Sequence, residues 1–515
     1  MKRRTFLGLA GGGLAATAVP VLSGCADSPA GQTARLLPSK ARLPRPYQVR
    51  LPVPPVKKPT SKAGGRTTYE IIQRNADVEI LPGLRTTIMG YDGIFPGPTI
   101  EANRGEHVVV RHRNELTVPT VVHLHGGNTA TDSDGYPVDL LLPKRWNHDH
   151  PDHHSGMSGD IVQGVREYRY GHDQQAATLW YHDHRMDFTG PQVWRGLAGF
   201  HLIRDEVEDR LPLPHGEREI PLMITDRAFA EDGSLFYPAL DPKLINTPGT
   251  TERYASGVLG DVILVNGAPW PELEVDAARY RFRILNSSNA RRYQLELDPP
   301  PSGGRGFTVI GSDGGLLAEP VSTSTITTAA AERHDVIIDF SRYPVGSEIT
   351  LANRLGSGTT ASVMRFRVVR KARDDSRIPR TLAELEPAAT TAAVHREWRF
   401  TRKSTDGMTM WAINGRFFDP ERMDARPQLG RTEIWRFYTD LHHPVHVHLS
   451  PFRVISRNGH RPEPIEAGWK DTLDLRPTEY ADVAVRFTGH RGHYLLHCHN
   501  LEHEDMGMMS AFEVV

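Results

Sequence analysis

The sequence predicts an all-β protein assembled from several β-sandwich domains. The body of the chain consists of short runs of alternating apolar and polar residues cut by Gly and Pro, with few stretches of helical period. Its 515 residues are too many for one core, so two to four domains are expected. A weak internal repeat points the same way. Val265-Asn266-Gly267 precedes the strand-like Tyr280-Arg281-Phe282-Arg283-Ile284-Leu285, and Ile413-Asn414-Gly415 precedes Glu433-Ile434-Trp435-Arg436-Phe437.

The chain opens with an address. Lys2-Arg3-Arg4-Thr5-Phe6-Leu7 resembles a twin-arginine export signal. The apolar run from Phe6 to Val21 has the length of a signal h-region and is short for a membrane span. Leu22-Ser23-Gly24-Cys25 reads as a lipobox, which predicts cleavage before Cys25 and a lipid anchor on its thiol; Ala16-Thr17-Ala18 is a weaker site for plain cleavage. Residues 1–24 are therefore expected to be a twin-arginine lipoprotein signal. The destination is the cell envelope, at the outer face of the membrane, periplasmic or extracellular. Residues 25–65, rich in Pro, Lys, Ser and Gly, read as a flexible tether.

The chemistry is concentrated near the C-terminus, in His497-Cys498-His499-Asn500-Leu501-Glu502-His503-Glu504-Asp505-Met506-Gly507-Met508. Two imidazoles, one thiolate and a weak axial thioether are the donor set of a blue copper centre. Cys498, His503 and Met508 supply three of these four donors. On a strand, alternate side chains face opposite ways, so His497 and His499 point away from Cys498, toward a second metal site. More imidazoles follow strand-like apolar residues at His123-Leu124-His125, at His182-Asp183-His184 and at His443-Pro444-Val445-His446-Val447-His448. An H-x-H pair on a strand projects both rings from one face. With 25 histidines in the chain, chance supplies roughly one such pair. The sequence has five, four of them in apolar strand contexts.

These four strings resemble, in order, the copper-binding motifs of the multicopper oxidase family, and Phe95-Pro96-Gly97-Pro98-Thr99-Ile100 resembles its first-domain signature. The resemblance runs from about Thr67 to Val515. It implies three cupredoxin-like Greek-key β-sandwich domains, at 66–205, 206–375 and 376–515. It implies four coppers. Type 1 is held by His443, Cys498, His503 and Met508, and type 2 by His123 and His446. A type 3 pair is held by His125, His182 and His499 and by His184, His448 and His497. No ligand position departs from the pattern. The middle domain, with only His215 and His334, becomes a spacer that also shapes the substrate face.

The wording around Asp132-Ser133-Asp134-Gly135 and Trp180-Tyr181-His182-Asp183-His184 is similar to the spore-coat laccase, bilirubin oxidase and phenoxazinone synthase branch. This implies one-electron oxidation of phenols, aminophenols or tetrapyrroles at an exposed type 1 histidine, coupled to reduction of O₂ to water. That reaction consumes protons, and Asp134 and Glu504 stand where relatives carry acids beside the copper cluster.

Composition excludes other roles. A net charge of −1 gives no electrostatic case for nucleic acid. Of two cysteines, one lies in the leader and one is a metal thiolate, so no disulfide is expected. The alternative enzyme is a metal oxidase of Cu(I), Fe(II) or Mn(II). The chain has no Met-rich insertion to favour it, and Met408 and Met410 read as packing. The run His148-Asp149-His150-Pro151-Asp152-His153-His154 reads as an exposed loop, with copper capture as the sharper alternative. A monomer is expected.

Overall fold

The computed structural model describes residues 34–146, 159–387, 394–405 and 408–515. The leader, Cys25 and the His148–His154 run lie outside the described residues, as does the side chain of Met408. Within them the chain is nearly all β, as its alternation predicts. Three pairs of facing sheets succeed one another along the sequence.

The first pair sets Val165–Tyr170, His107–Asn114, Arg66–Val78 and Ser61–Ala63 against Gly97–Asn103, Ala198–Arg204, Ala177–Asp183 and Val122–His125. Ile71, Val110, Tyr168, Leu124 and Leu179 fill the space between. The middle pair is a seven-stranded sheet from Ala268–Pro269 to Gly315–Thr323 packed on a five-stranded one from Glu272–Ala277 to Thr325–Thr328. The third sets Met408–Ile413, Arg396–Thr405, Thr432–Thr439, Tyr480–Arg486 and Phe452–Arg457 against a second sheet. That sheet runs Met423–Ala425, Met509–Val514, Gly492–Cys498, His443–Val447 and Thr472–Leu475. Each fully buried Leu, Phe or Val in these cores contributes about 1.5–3 kcal/mol by leaving water.

Two strand pairs matter most. Val122–His125 and Ala177–Asp183 are buried along their whole length and pair antiparallel, with His123 opposite His182. Gly492–Cys498 pairs with His443–Val447, setting Cys498 opposite Val445 and His497 opposite His446. The histidines are therefore carried by strands that are buried along their length.

The segment expected to be a flexible tether is a strap wherever it is described. Arg35–Leu37 pairs in parallel with Val258–Gly260, Tyr47 N–H donates to Trp270, and Leu51 N–H donates to Glu272. Val56 bridges to Thr99, and Ser61–Ala63 joins the first sheet. Leu37, Ala41 and Leu51 are buried. Pro-rich composition was the misleading signal. The prolines preset an extended backbone that loses little entropy on docking, and a sparse set of apolar side chains suffices to hold it.

Candidate metal centre

His443, Cys498 and His503 converge within one buried site. Cys498 Sγ lies 3.4 Å from His443 Nδ1 and 3.5 Å from His503 Nδ1, and the two ring nitrogens are 3.1 Å apart. The short helix Leu501–Asp505 brings His503 back over Cys498. Met508 closes the loop, its N–H donating to His503 and its carbonyl accepting from Cys498 N–H. Met508 is buried in the same apolar cluster as Cys498, whereas Met509 packs on the other face with Val138 and Leu495. Burial pushes the Cys498 thiol well above its usual range, countered by the Asn500 N–H aimed at its sulfur. A bound cation would reverse that balance.

The sequence reading expected an exposed histidine here. Instead His443 and His503 are both 0% exposed. Trp411 stacks on His503 with ring centroids 3.7 Å apart, and Asn500 covers its Nε2 at 3.2 Å. His443 Nε2 donates to Asp440 Oδ1 at 3.1 Å, and that carboxylate is 34% exposed. The cover is contributed by loops and by a neighbouring strand, which spacing within the motif cannot reveal.

On the other face of Cys498, His497 and His499 point into a buried chamber with His123, His125, His182, His184, His446 and His448. His123 stacks on His448 and His125 on His446, with centroids 3.9 and 3.6 Å apart. First- and third-domain rings thus interleave. The set His184, His448 and His497 is close enough to share one ion; so are His123, His446 and His448, and His123, His125 and His182. The His499 ring lies 5.0 Å from His125 and 5.3 Å from His182.

These imidazoles are anchored on one side and open on the other. His123 Nδ1 donates to the Asp134 carbonyl at 2.5 Å, His182 Nδ1 to Asp183 at 2.8 Å, and His446 Nδ1 to Asp471 at 2.9 Å. The opposite nitrogens, His123 Nε2, His182 Nε2, His446 Nε2 and His448 Nε2, have no hydrogen-bond partner; nor do His125 Nδ1 and either nitrogen of His499. Orphaned buried acceptors are costly, and several aimed into one chamber are the signature of a cation-binding site. Burial, reinforced by neighbouring imidazoles, holds the His123, His125, His182, His446 and His448 rings well below the usual histidine pKa. They are neutral with lone pairs available, the form that binds copper. The donor set fits the metal.

Asp134 and Glu504 are both at the chamber wall and both buried. Asp134 Oδ2 accepts from His448 Nδ1 at 2.7 Å. Glu504 lies 3.4 Å from His184 Nδ1 and 3.2 Å from His497 Nδ1. Burial raises the Asp134 pKa. Burial also raises Glu504, but the adjacent His184 and His497 outweigh it and bring its pKa below the usual range.

Sequence reasoning missed Asp471, whose Oδ1 accepts from His125 Nε2 at 3.1 Å. It also missed Trp411 and Asp440. The only sequence trace of Asp471 is a run of charges, Lys470-Asp471-Thr472-Leu473-Asp474, leading into a buried strand.

Multicopper oxidase family profiles match residues 73–208 and 389–515. A laccase from Bacillus subtilis is 38% identical, the alignment covering 90% of this chain and 97% of that protein. A bilirubin oxidase from Albifimbria verrucaria is 36% identical over 90% of this chain and 81% of its own length. Among solved structures, a multi-copper oxidase from Pediococcus acidilactici superposes with a TM-score of 0.79 at 32% identity, covering 94% of each chain. A multicopper oxidase from Aquifex aeolicus gives a TM-score of 0.76 at 30% identity, covering 91% of this chain and 99% of that one.

Proposed function

Because the chain belongs to the multicopper oxidase family, we propose how its residues divide the work of a laccase-like oxidase with O₂ as acceptor. The reductants are phenols, aminophenols or tetrapyrroles. One observation carries the reading. Eight buried histidines from the first and third sandwiches line one chamber, seven of them with a ring nitrogen that has no hydrogen-bond partner, one residue away from a buried Cys/His/His site.

His443, Cys498, His503 and Met508 would hold the type 1 copper, and His123 and His446 the type 2 copper. His125, His182 and His499 would hold one type 3 copper, and His184, His448 and His497 the other. When bound, the four coppers supply one-electron oxidation at the type 1 site and four-electron reduction of O₂, with four protons, to two waters at the cluster.

The protein's own contributions follow from its geometry. Cys498 is joined through one peptide unit on each side to His497 and His499, so the two sites are linked by covalent bonds. The backbone carbonyls of Asp134, Asp183 and Asp471 fix the tautomers of His123, His182 and His446 and leave Nε2 free as donor atom. Asp134 and Glu504 place carboxylates beside the rings that face the chamber, where they would take up protons and pass them to the oxygen-reducing centre. Trp411 and Asn500 exclude water from His503.

Export and anchoring are part of the proposal. The twin-arginine signal would carry a folded chain to the cell envelope, and Cys25 would carry lipid. Cys25 is nine residues from Ala34, a reach of at most about 32 Å. The next residue, Arg35, donates its N–H to Gly257, and the adjoining Ser256 carbonyl accepts from Asn500, which covers His503. A lipid on Cys25 would therefore hold the type 1 side of a monomeric enzyme close to the membrane.

The test is metal stoichiometry with product analysis. The copper-loaded protein should contain four coppers per chain, show the intense blue colour of a copper–thiolate site, and convert O₂ to water without releasing peroxide. Two coppers per chain, or peroxide as the stoichiometric product, would refute it.

A further inference from the structure

The middle domain gives no metal ligand, yet one of its side chains reaches the wall of the histidine chamber. Arg333 begins the strand Arg333–Asp339 and is 0% exposed. Its guanidinium has five N–H donors, and contacts from all three domains engage it. Nε donates to the Thr178 carbonyl of the first domain at 2.8 Å. Nη1 donates to Ala331 at 3.0 Å, and Nη2 to the Asp313 carbonyl at 3.0 Å, both in the middle domain. The remaining two donors form a bidentate pair with Asp471 of the third domain, Nη1 to Oδ1 at 2.6 Å and Nη2 to Oδ2.

Asp471 in turn touches two chamber histidines. Its Oδ1 accepts from His125 Nε2 at 3.1 Å, and its carbonyl accepts from His446 Nδ1 at 2.9 Å. The Thr472 hydroxyl donates to the same Oδ1 at 2.9 Å, lying 3.1 Å from His125 Nε2. The residue after His125 is shaped for this pair. Gly126 has φ +86, and a Cβ there would sit 2.7 Å from Arg333 Nη2 and 2.8 Å from Asp471 Oδ2. Both a left-handed backbone and the absent side chain are needed for Arg333 and Asp471 to meet against His125.

We propose that Arg333 is a positioning residue for the oxygen-reducing centre: it clamps Asp471, and through Asp471 fixes the His125 and His446 rings. This rests on the assignment of His446 to the type 2 copper and His125 to a type 3 copper. The middle domain is then a working wall of the cluster rather than a spacer. A fork-shaped cation suits this role, because it fixes the carboxylate plane as well as its charge.

The experiment uses the full copper-loaded chain. Arg333→Gln, Arg333→Lys, Gly126→Ala and His446→Gln are each dialysed against a chelator, and copper per chain, the type 2 electron paramagnetic signal and the blue band are recorded. Arg333→Gln should keep the blue band, lose the type 2 signal, and hold that copper roughly tenfold to hundredfold more weakly. Arg333→Lys keeps the charge without the fork and should fall between. Gly126→Ala leaves every charge in place and should weaken the same copper by pushing the pair apart.

If Arg333→Gln loses its blue band and so its fold, the Lys and Ala variants decide. Four tightly held coppers with a wild-type type 2 signal in the folded variants would overturn the proposal. Should His446→Gln leave the type 2 signal unchanged, the ligand assignment itself fails. If His446→Gln removes the signal while the Arg333 and Gly126 variants keep it, the clamp alone is wrong.

Discussion

Asp134 Oδ2 sits 2.7 Å from His448 Nδ1, in the wall of the histidine chamber. The same residue's carbonyl holds His123. A single acid thus contacts rings assigned to two different coppers.

The proposed role of Asp134 as a proton source predicts a defect in O₂ reduction and not in substrate oxidation. Asp134→Asn keeps the hydrogen-bonding shape and removes the acid, and Glu504→Gln does the same beside His184 and His497. Steady-state turnover should fall roughly hundredfold, the size typical of losing a general acid. Anaerobic reduction of the type 1 copper, followed by bleaching of the blue band in stopped flow, should stay near wild type. Equal slowing of both steps would place the defect on the donor side.

At the type 1 site, Cys498→Ser should abolish the blue band while the far-ultraviolet circular dichroism stays that of a folded β protein. Met508→Leu should keep the colour and raise the reduction potential, since a thioether favours the oxidised metal weakly and Leu not at all. Each tenfold change in relative affinity corresponds to about 59 mV for one electron. A redox titration in which Met508→Leu matches wild type would remove Met508 from the axial position. Met509, which packs on the opposite face, is a poor substitute.

The convergence of these histidines and Cys498 was legible because strand geometry writes it locally: a spacing of two puts two rings on one face, and a spacing of one puts Cys498 on the other. The clamp was not. His125 and Asp471 are 346 residues apart, and Arg333 and Asp471 are 138 apart. Only the docking of three sandwiches brings them together, and no local period encodes that. The cover over His443 and His503 failed for the same reason, since Trp411 arrives from a different sheet. The strap failed for another: its composition is that of a linker, but its prolines and few leucines serve an extended chain lying on a finished surface.

Acid stability should depend on a buried ion network behind the first and middle domains. Burial raises the Glu219 pKa, but Arg283, Arg281 and Arg204 outweigh it and bring it from 4.5 down to about 2. A depressed carboxylate pKa stabilises the fold fully above about 4.5, and that contribution is lost as pH falls through about 2. The shift corresponds to at most about 3 kcal/mol, reduced by residual solvent contact. Glu219→Gln should lower the urea midpoint of the copper-free protein at neutral pH and flatten its decline between about pH 5 and pH 2. An unchanged pH slope would show that Glu219 is not the titrating partner.

Anchoring makes a cellular prediction. Cys25→Ala should shift the protein from the membrane fraction to a soluble one or block its maturation. Arg3→Lys with Arg4→Lys should retain it in the cytoplasm, because the twin-arginine route reads that pair. Mass spectrometry of the wild-type N-terminus should find acyl chains on Cys25. Wild type recovered entirely soluble, with an unmodified N-terminus upstream of Ala34, would end the lipoprotein reading.

The reductant should be organic. Burial of His443 and His503 leaves no bare imidazole edge for a donor, so electrons must enter through what covers them. Asp440, 34% exposed and bonded to His443 Nε2, is the polar group in that cover which meets solvent. An aromatic donor needs only to bring its π-system and an O–H or N–H to such a surface. A Cu(I) substrate needs soft thioethers gathered there, whereas Met508 is fully buried and Met506 beside it is only partly exposed. Values of kcat/KM should therefore be at least tenfold higher for 2,6-dimethoxyphenol or bilirubin than for buffered Cu(I), with organic turnover independent of added Cu(II). A preference for Cu(I), or organic turnover that appears only with excess copper, would replace this reading with that of a metal oxidase.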